Sequence, residues 1–194
     1  MTGPVLRVVA SMVLACALSL VCALFLASAL PVIAADGRTQ AGSLSLQLWF
    51  SNDRLNSDTM DCRAVFPVVR QVARTRGVAA ATLRALFAGP TPEEAAAGYR
   101  SVFSTASSNL LRGVHIGNGT AYVDMNDLSQ VLSGATSSCG ASEFQTQVSR
   151  SLKRFPNIKR VIYAFEGKPR SFYEWMNESC GPANDGCDPR PFGR

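Results

Sequence analysis

The sequence predicts an α/β (α+β-like) domain: a mixed β-sheet of about five strands, with two main helices packed on it and a central β-hairpin. Three observations carry this. Gly117-Asn118-Gly119 separates two strand-like arms, a hairpin signature. Two segments, 77–88 and 142–155, place apolar residues at three-and-four spacing, the mark of amphipathic helices. The run Ile158–Phe165 (IKRVIYAF) is β-branched and aromatic, as a covered strand requires. Strands interleaved with helices call for a sheet with the helices laid on it.

The elements follow in order. Residues 36–43 (DGRTQAGS) are small and polar and read as a linker. Leu44, Leu46, Leu48 and Phe50 then alternate with Ser45, Gln47 and Trp49, a half-buried strand ended by Ser51-Asn52-Asp53. Ala64–Val72 is strand-like but holds Pro67, which lacks a ladder donor, so this strand is an edge or begins after the proline. Gly77–Ala88 is a helix with Ala79, Leu83, Leu86 and Phe87 on one face, stopped by Gly89-Pro90. Thr91-Pro92-Glu93-Glu94 is a capping box that opens a short helix before Gly98.

Leu110–Ile116 and Thr120–Met125 are the hairpin arms. The second puts Ala121, Val123 and Met125 on one face, and Tyr122 and Asp124 on the other. Residues 126–141 read as a polar loop. Ser142–Phe155 is the second long helix, with the stripe Phe144, Val148, Leu152 and Phe155. Glu143 falls in its first turn and Gln147 on its exposed side, while Arg150, Lys153 and Arg154 near its end complement the dipole. Pro156-Asn157 breaks it, Ile158–Phe165 is a central strand, and Glu166-Gly167 closes that strand. Ser171-Phe172-Tyr173-Glu174 is a second capping box for a short helix holding Trp175 and Met176, and an irregular cysteine-bearing tail runs over 177–194.

Ahead of the domain, residues 8–35 are uncharged and apolar, follow Arg7 and end on Ala34-Ala35. This reads as a secretory signal peptide, or, since ~20 apolar residues span a bilayer, as an N-terminal membrane anchor. Val13-Leu14-Ala15-Cys16 as a lipoprotein site is disfavoured, because the apolar run continues past Cys16. Either leader predicts an extracytoplasmic location for the remainder. The formal charge of the chain is +5, or about +4 without Arg7. A modest surplus spread along the chain suits solubility and contact with cell-wall polymer, anionic lipid or an envelope protein, and it argues against nucleic acid.

Six cysteines are present; Cys16 and Cys22 lie in the leader. Cys62, Cys139, Cys180 and Cys187 remain, and an even number in an oxidising compartment implies two disulfides with three possible connectivities. The pairing preferred here is Cys180–Cys187, around the short loop with Gly181, Pro182 and Gly186, together with Cys62–Cys139. Zinc is disfavoured, since no CxxC occurs and His115, the one histidine, is distant in sequence.

Catalytic signatures are weak. His115 sits between Val114 and Ile116 on a strand, no GxSxG elbow occurs, and the cysteines are expected to be bridged. Carboxylate pairs for glycosidic chemistry, Asp124 with Asp127 or Glu166 with Glu174, are the enzyme alternative. Asn52, Asp53, Asn56 and Asp58 make an oxygen-rich loop without EF-hand spacing. No cofactor or metal is expected. Trp49, Tyr99, Phe172, Tyr173 and Trp175 are candidates for a ligand groove, with core the better reading for Phe172 and Trp175. Arg63, Arg70, Arg74 and Arg76, and Lys153, Arg154, Lys159, Arg160, Lys168 and Arg170, are candidates for basic patches. Of these, Lys153, Arg154, Lys159 and Arg160 are the expected binding surface.

Five stretches carry a family resemblance: LWFSNDRLNSDTMDCRAVFPVVR (48–70), ATLRALFAGPTPEEAAAGYRSVF (81–103), GVHIGNGTAYVDMNDL (113–128), FQTQVSRSLKRFPNIKRVIYAFEGKP (144–169) and FYEWM (172–176). In this order and spacing, over about residues 44–176, the chain resembles the GerMN domain, the sporulation and spore-germination domain of bacterial envelope proteins. The resemblance implies an α/β domain on the outer side of a membrane. It implies a role in envelope binding or assembly, with no agreed catalytic activity and no catalytic residue to carry over. Many members carry an immunoglobulin-like associated domain, for which the roughly 18 residues after Met176 are too few. An oligomerising structural subunit of the envelope is the third reading.

Overall fold

Leu46, Leu48 and Phe50 are buried along one side of β1 (Ser43–Asn52), as their alternation requires. The computed structural model describes residues 42–58 and 60–193. The leader, and all but the last two residues of the predicted linker, lie outside them. Strand β2 (Phe66–Ala73) pairs antiparallel with β1 along its whole length and is an edge strand, where Pro67 opposes Trp49 without costing a ladder bond. Helix α1 (Val78–Phe87) buries Leu83, Leu86 and Phe87. The Thr91 capping box opens α2 (Pro92–Ala96): the Glu94 N–H donates to Thr91 Oγ1 at 3.2 Å and the Thr91 N–H to Glu94 Oε2 at 2.8 Å. The two-residue β3 (Tyr99–Arg100) pairs with Asn52 and Ser51 on the other side of β1.

The hairpin forms β4 (Leu111–Gly117) and β5 (Thr120–Met125) around Asn118 and Gly119, whose φ values of 49° and 77° are those of a two-residue hairpin turn. Helix α3 (Ser138–Lys153) then crosses over so that β6 (Arg160–Phe165) pairs parallel to β5. Helix α4 (Pro169–Trp175) follows. The mixed α/β architecture is as expected, but the strands divide into two three-stranded sheets, β2-β1-β3 and β4-β5-β6, instead of one. Helix α3 lies against both, touching β1 and β6 as well as α1. Its Phe144 is the centre of an aromatic core, 5.0 to 6.4 Å from the rings of Phe103, Tyr163, Phe172 and Trp175.

Four expectations need correction. β6 is an edge strand and β5 the central one; β6 is nonetheless buried from Ile162 to Phe165, because α3 and α4 cover it. Its outer edge is occupied by its own continuation: the Tyr163 N–H donates to Tyr173 Oη at 3.3 Å and the Phe165 N–H to the Lys168 carbonyl at 3.3 Å.

Helix α3 starts four residues earlier than the sequence suggested. Ser137 caps it by accepting from the Gly140 N–H at 3.1 Å, after a 3-10 turn at Ser133–Thr136. Gly140 is required there, because a Cβ would lie 1.9 Å from the Gly134 carbonyl oxygen. Glu143 is therefore in the second turn, and it and Gln147 are buried rather than first-turn and exposed. Glu143 Oε1 accepts from Ser51 Oγ and Gln147 Nε2, both at 2.9 Å, and Oε2 from Arg100 at 2.9 Å. Gln147 Oε1 accepts from Ser101 Oγ at 2.5 Å. This polar cluster ties α3 to β1 and β3 beside the apolar stripe.

Finally, the second capping box is not used. Pro169 opens α4 with its φ already helical, Ser171 lies inside the helix, and Glu174 faces Arg170 at 3.8 Å.

Candidate functional site

The predicted site residues fall in three places. Cys62 is joined to Cys139 in the first turn of α3, and Cys180 to Cys187 in the tail, with Cα separations of 5.2 and 5.3 Å. Lys153 and Arg154 sit at the end of α3, and Lys159 and Arg160 at the entry to β6, all exposed. Arg160 is ion-paired with Asp185 of the tail, and the Arg154 guanidinium lies over the Phe155 ring at 5.9 Å. Arg70, grouped with the basic patches from sequence, is turned inward instead. It donates to Glu94 Oε1 at 2.9 Å and to the Ala85 and Gly89 carbonyls at 2.7 Å, clamping β2 to the ends of α1 and α2. Burial raises the Glu94 pKa, but the Arg70 hydrogen bond, the Thr91 N–H and the Arg70 charge outweigh it and hold it below the usual carboxylate value.

Three of the four candidate carboxylates, Asp124, Asp127 and Glu174, face other groups. Asp124 accepts from Arg112 at 3.0 Å and from the Gly167 N–H at 2.7 Å, and Asp127 caps the Ser129 N–H at 3.1 Å. Glu166 is exposed at the turn after β6 with a φ of 51°. In the oxygen-rich loop, Asn52 Oδ1 accepts from the Arg54 and Leu55 N–H groups, Asn56 Oδ1 accepts from the Asp58 N–H, and Asp53 pairs with Arg100 at 2.5 Å. The asparagine oxygens hold the loop's own backbone, and Asp53 ties the loop to β3. Of the groove aromatics, Phe172 and Tyr173 are buried and Trp175 packs on the core. Trp49 lies under the Arg150 guanidinium, 5.1 Å from its ring centre.

The structure adds a cleft that sequence reasoning missed. The hairpin face turned away from the core meets the C-terminal tail in two adjoining depressions that share His115, Tyr122 and Pro191. The larger, about 670 Å³, is also lined by Arg112, Asp124, Asn126 and Phe192. The smaller, about 320 Å³, adds Asn118, Asp188 and Arg190. His115 and Tyr122 are directly opposed across the hairpin, their rings nearly parallel at 19° with centres 6.2 Å apart. Phe192 stands edge-on to Tyr122 at 5.6 Å and 89°. Tyr122 Oη donates to Asp185 Oδ2 at 3.0 Å; burial raises its pKa, and that carboxylate raises it further. The sequence signal was Tyr122 lying between the buried Ala121 and Val123, with His115 opposite it across the hairpin. The tail that closes the cleft carried no periodic pattern.

A small α/β domain of two three-stranded sheets, bonded by two disulfides and carrying a polar aromatic cleft, is thus defined. Residues 47–171 match the family model Germane, described as sporulation and spore germination, and the chain belongs to this family. Among solved structures, the tandem GerMN domains of the sporulation protein GerM from Bacillus subtilis are similar at 17% identity with a TM-score of 0.46. That match covers 69% of this chain and 43% of the GerM chain, so this chain spans under half the length of that structure. No curated protein matches at a significant level.

Proposed function

We propose that the chain is a non-catalytic, extracytoplasmic binding or assembly module of the bacterial cell envelope. Its partner is cell-wall polymer, anionic lipid or an envelope protein. Membership of the Germane family, over 47–171, is the observation that carries this reading, and sporulation and germination are the processes in that family's description. Supporting it, the four described cysteines are in disulfides rather than available as nucleophiles, and bridged cysteines belong to oxidising compartments. His115 stacks on Tyr122 on the hairpin's outer face. The exposed cations Lys153, Arg154 and Lys159 supply charge for an anionic surface.

Cell fractionation with N-terminal sequencing tests the location: recovery outside the cytoplasm is expected, and full-length chain in the cytosol contradicts it. Incubation of purified protein with isolated envelopes tests the chemistry. No soluble fragments are expected. Fragment release that disappears on substituting Asp124, Asp127, Glu166 or Glu174 overturns the non-catalytic reading.

One observation favours a second reading, an oligomerising subunit. Among the described strands β2 pairs only with β1, and its Val69 is 64% exposed, so an edge is presented for pairing. Concentration-dependent association in sedimentation velocity, lost on Val69→Lys, would support that reading.

A further inference from the structure

We infer that the cleft between the hairpin and the tail binds a neutral saccharide, a short stretch of a glycan strand. This inference deepens the binding-module reading and rests on it. The floor is aromatic: His115 and Tyr122 occupy opposed positions of β4 and β5, and their near-parallel rings, 6.2 Å apart at their centres, form a shelf. A pyranose ring presents C–H groups on its face, and these pack against the electron-rich face of aromatic rings. Phe192 makes a wall at the end of the shelf.

The rim is polar and balanced in charge. Arg112 pairs with Asp124 at 3.0 Å, and Arg190 with Asp188 at 2.6 Å, so the two guanidiniums of the lining are matched by two carboxylates. Such a rim offers both donors and acceptors to hydroxyl groups, as a sugar needs. It lacks the surplus of positive charge that a phosphate or polyanionic polymer would require. The volume of about 670 Å³ lies in the ~300–1,000 Å³ range of small-molecule sites.

The site is also preformed. The tail is held by the Cys180–Cys187 bond, by Asp185 bridging Tyr122 and Arg160, and by Asn184 Oδ1 accepting from the Gly181 N–H at 2.7 Å. Little ordering is therefore left for binding to supply.

Isothermal titration of the purified full chain with chitotetraose and cellotetraose, two soluble neutral oligosaccharides, tests the assignment, with inorganic polyphosphate as the anionic probe. At least one oligosaccharide is expected to bind. His115→Ala and Tyr122→Ala should each weaken it by about tenfold or more, and Tyr122→Phe, which keeps the shelf, by under about threefold. Raising salt from ~0.1 to ~1 M should leave the affinity nearly unchanged, because no net charge drives it. Among the described residues the His115 side chain holds the fold through no hydrogen bond, and its ring meets Tyr122 only face to face, so His115→Ala decides the matter should Tyr122→Ala melt early. Failure of both oligosaccharides to bind, binding that ignores both ring deletions, or preferential binding of polyphosphate overturns the assignment. A chain that still pellets with envelopes while ignoring both oligosaccharides sinks the saccharide site and leaves the module reading standing; a chain that does neither removes both.

Discussion

Gln147 shows most clearly how a single residue is used in this fold. A glutamine on a helix reads as solvent-facing, yet it is buried between Glu143, Ser51 and Ser101. Its amide satisfies groups that have no water to turn to. Gln147→Ala is therefore expected to destabilise the domain by about 1–3 kcal/mol, the range for leaving buried polar partners unsatisfied, as read from the urea midpoint. A change near zero would show that the cluster is wet or dispensable.

Tyr173 gives a second residue-scale prediction. Burial pushes its phenol from the ordinary value of 10.0 up to about 12, overriding the hydrogen bond it accepts from the Tyr163 N–H. Burial raises Tyr163 as well. A raised pKa means that the folded state holds the proton more tightly than the unfolded chain does. The stability from these phenols is then fully present below pH 10 and falls as pH climbs toward 12. Urea unfolding across that window should show the loss, and Tyr173→Phe should shrink it. An identical alkaline slope in the variant would contradict the assignment.

Among the elements, α3 is the piece on which both sheets depend. Its apolar stripe was legible in the sequence: Phe144, Val148 and Leu152 are fully buried. Leu152→Ala or Phe144→Ala should cost about 2–5 kcal/mol, as emptied core sites do, in chemical denaturation at neutral pH. A loss below that of an exposed control such as Lys153→Ala would show that the helix does not hold the core.

The hairpin, α1, the Thr91 capping box and the edge position of β2 were legible for the same reason: each depends on local chemistry. The early start of α3 was not, because Ser138, Gly140 and Ser142 are weak helix formers, placed there by the close approach to Gly134 and the bridge to Cys139. The unused box at Ser171 reflects competition from Pro169, which fixes the helix start three residues sooner. The division into two sheets and the edge position of β6 are long-range outcomes that strand composition does not encode. For the site, the cysteines and exposed cations were visible as residue types. The cleft was not, since it needs the tail folded back on the hairpin.

For the molecule as a whole, the disulfides differ in reach. Cys62–Cys139 spans 77 residues, and Cys180–Cys187 spans 7. Chain entropy scales with loop length, so Cys62→Ser should cost roughly 3–5 kcal/mol and Cys187→Ser less, measured by thermal unfolding under non-reducing conditions. Equal losses would mean that the long bridge adds only local contacts. The short bridge instead closes a loop within the tail around Asp185, the residue that contacts Tyr122 of the hairpin, so its removal should be felt at the cleft more than in the melting temperature.

The central claim, a binding module without catalysis, is tested most directly by pelleting the purified full chain with isolated bacterial envelopes. The chain is expected to pellet at saturable levels and to release no soluble fragments. Reversing Lys153, Arg154 and Lys159 to glutamate is expected to weaken the binding. Protein that stays in the supernatant at every concentration, or that pellets only while liberating soluble fragments, would contradict it.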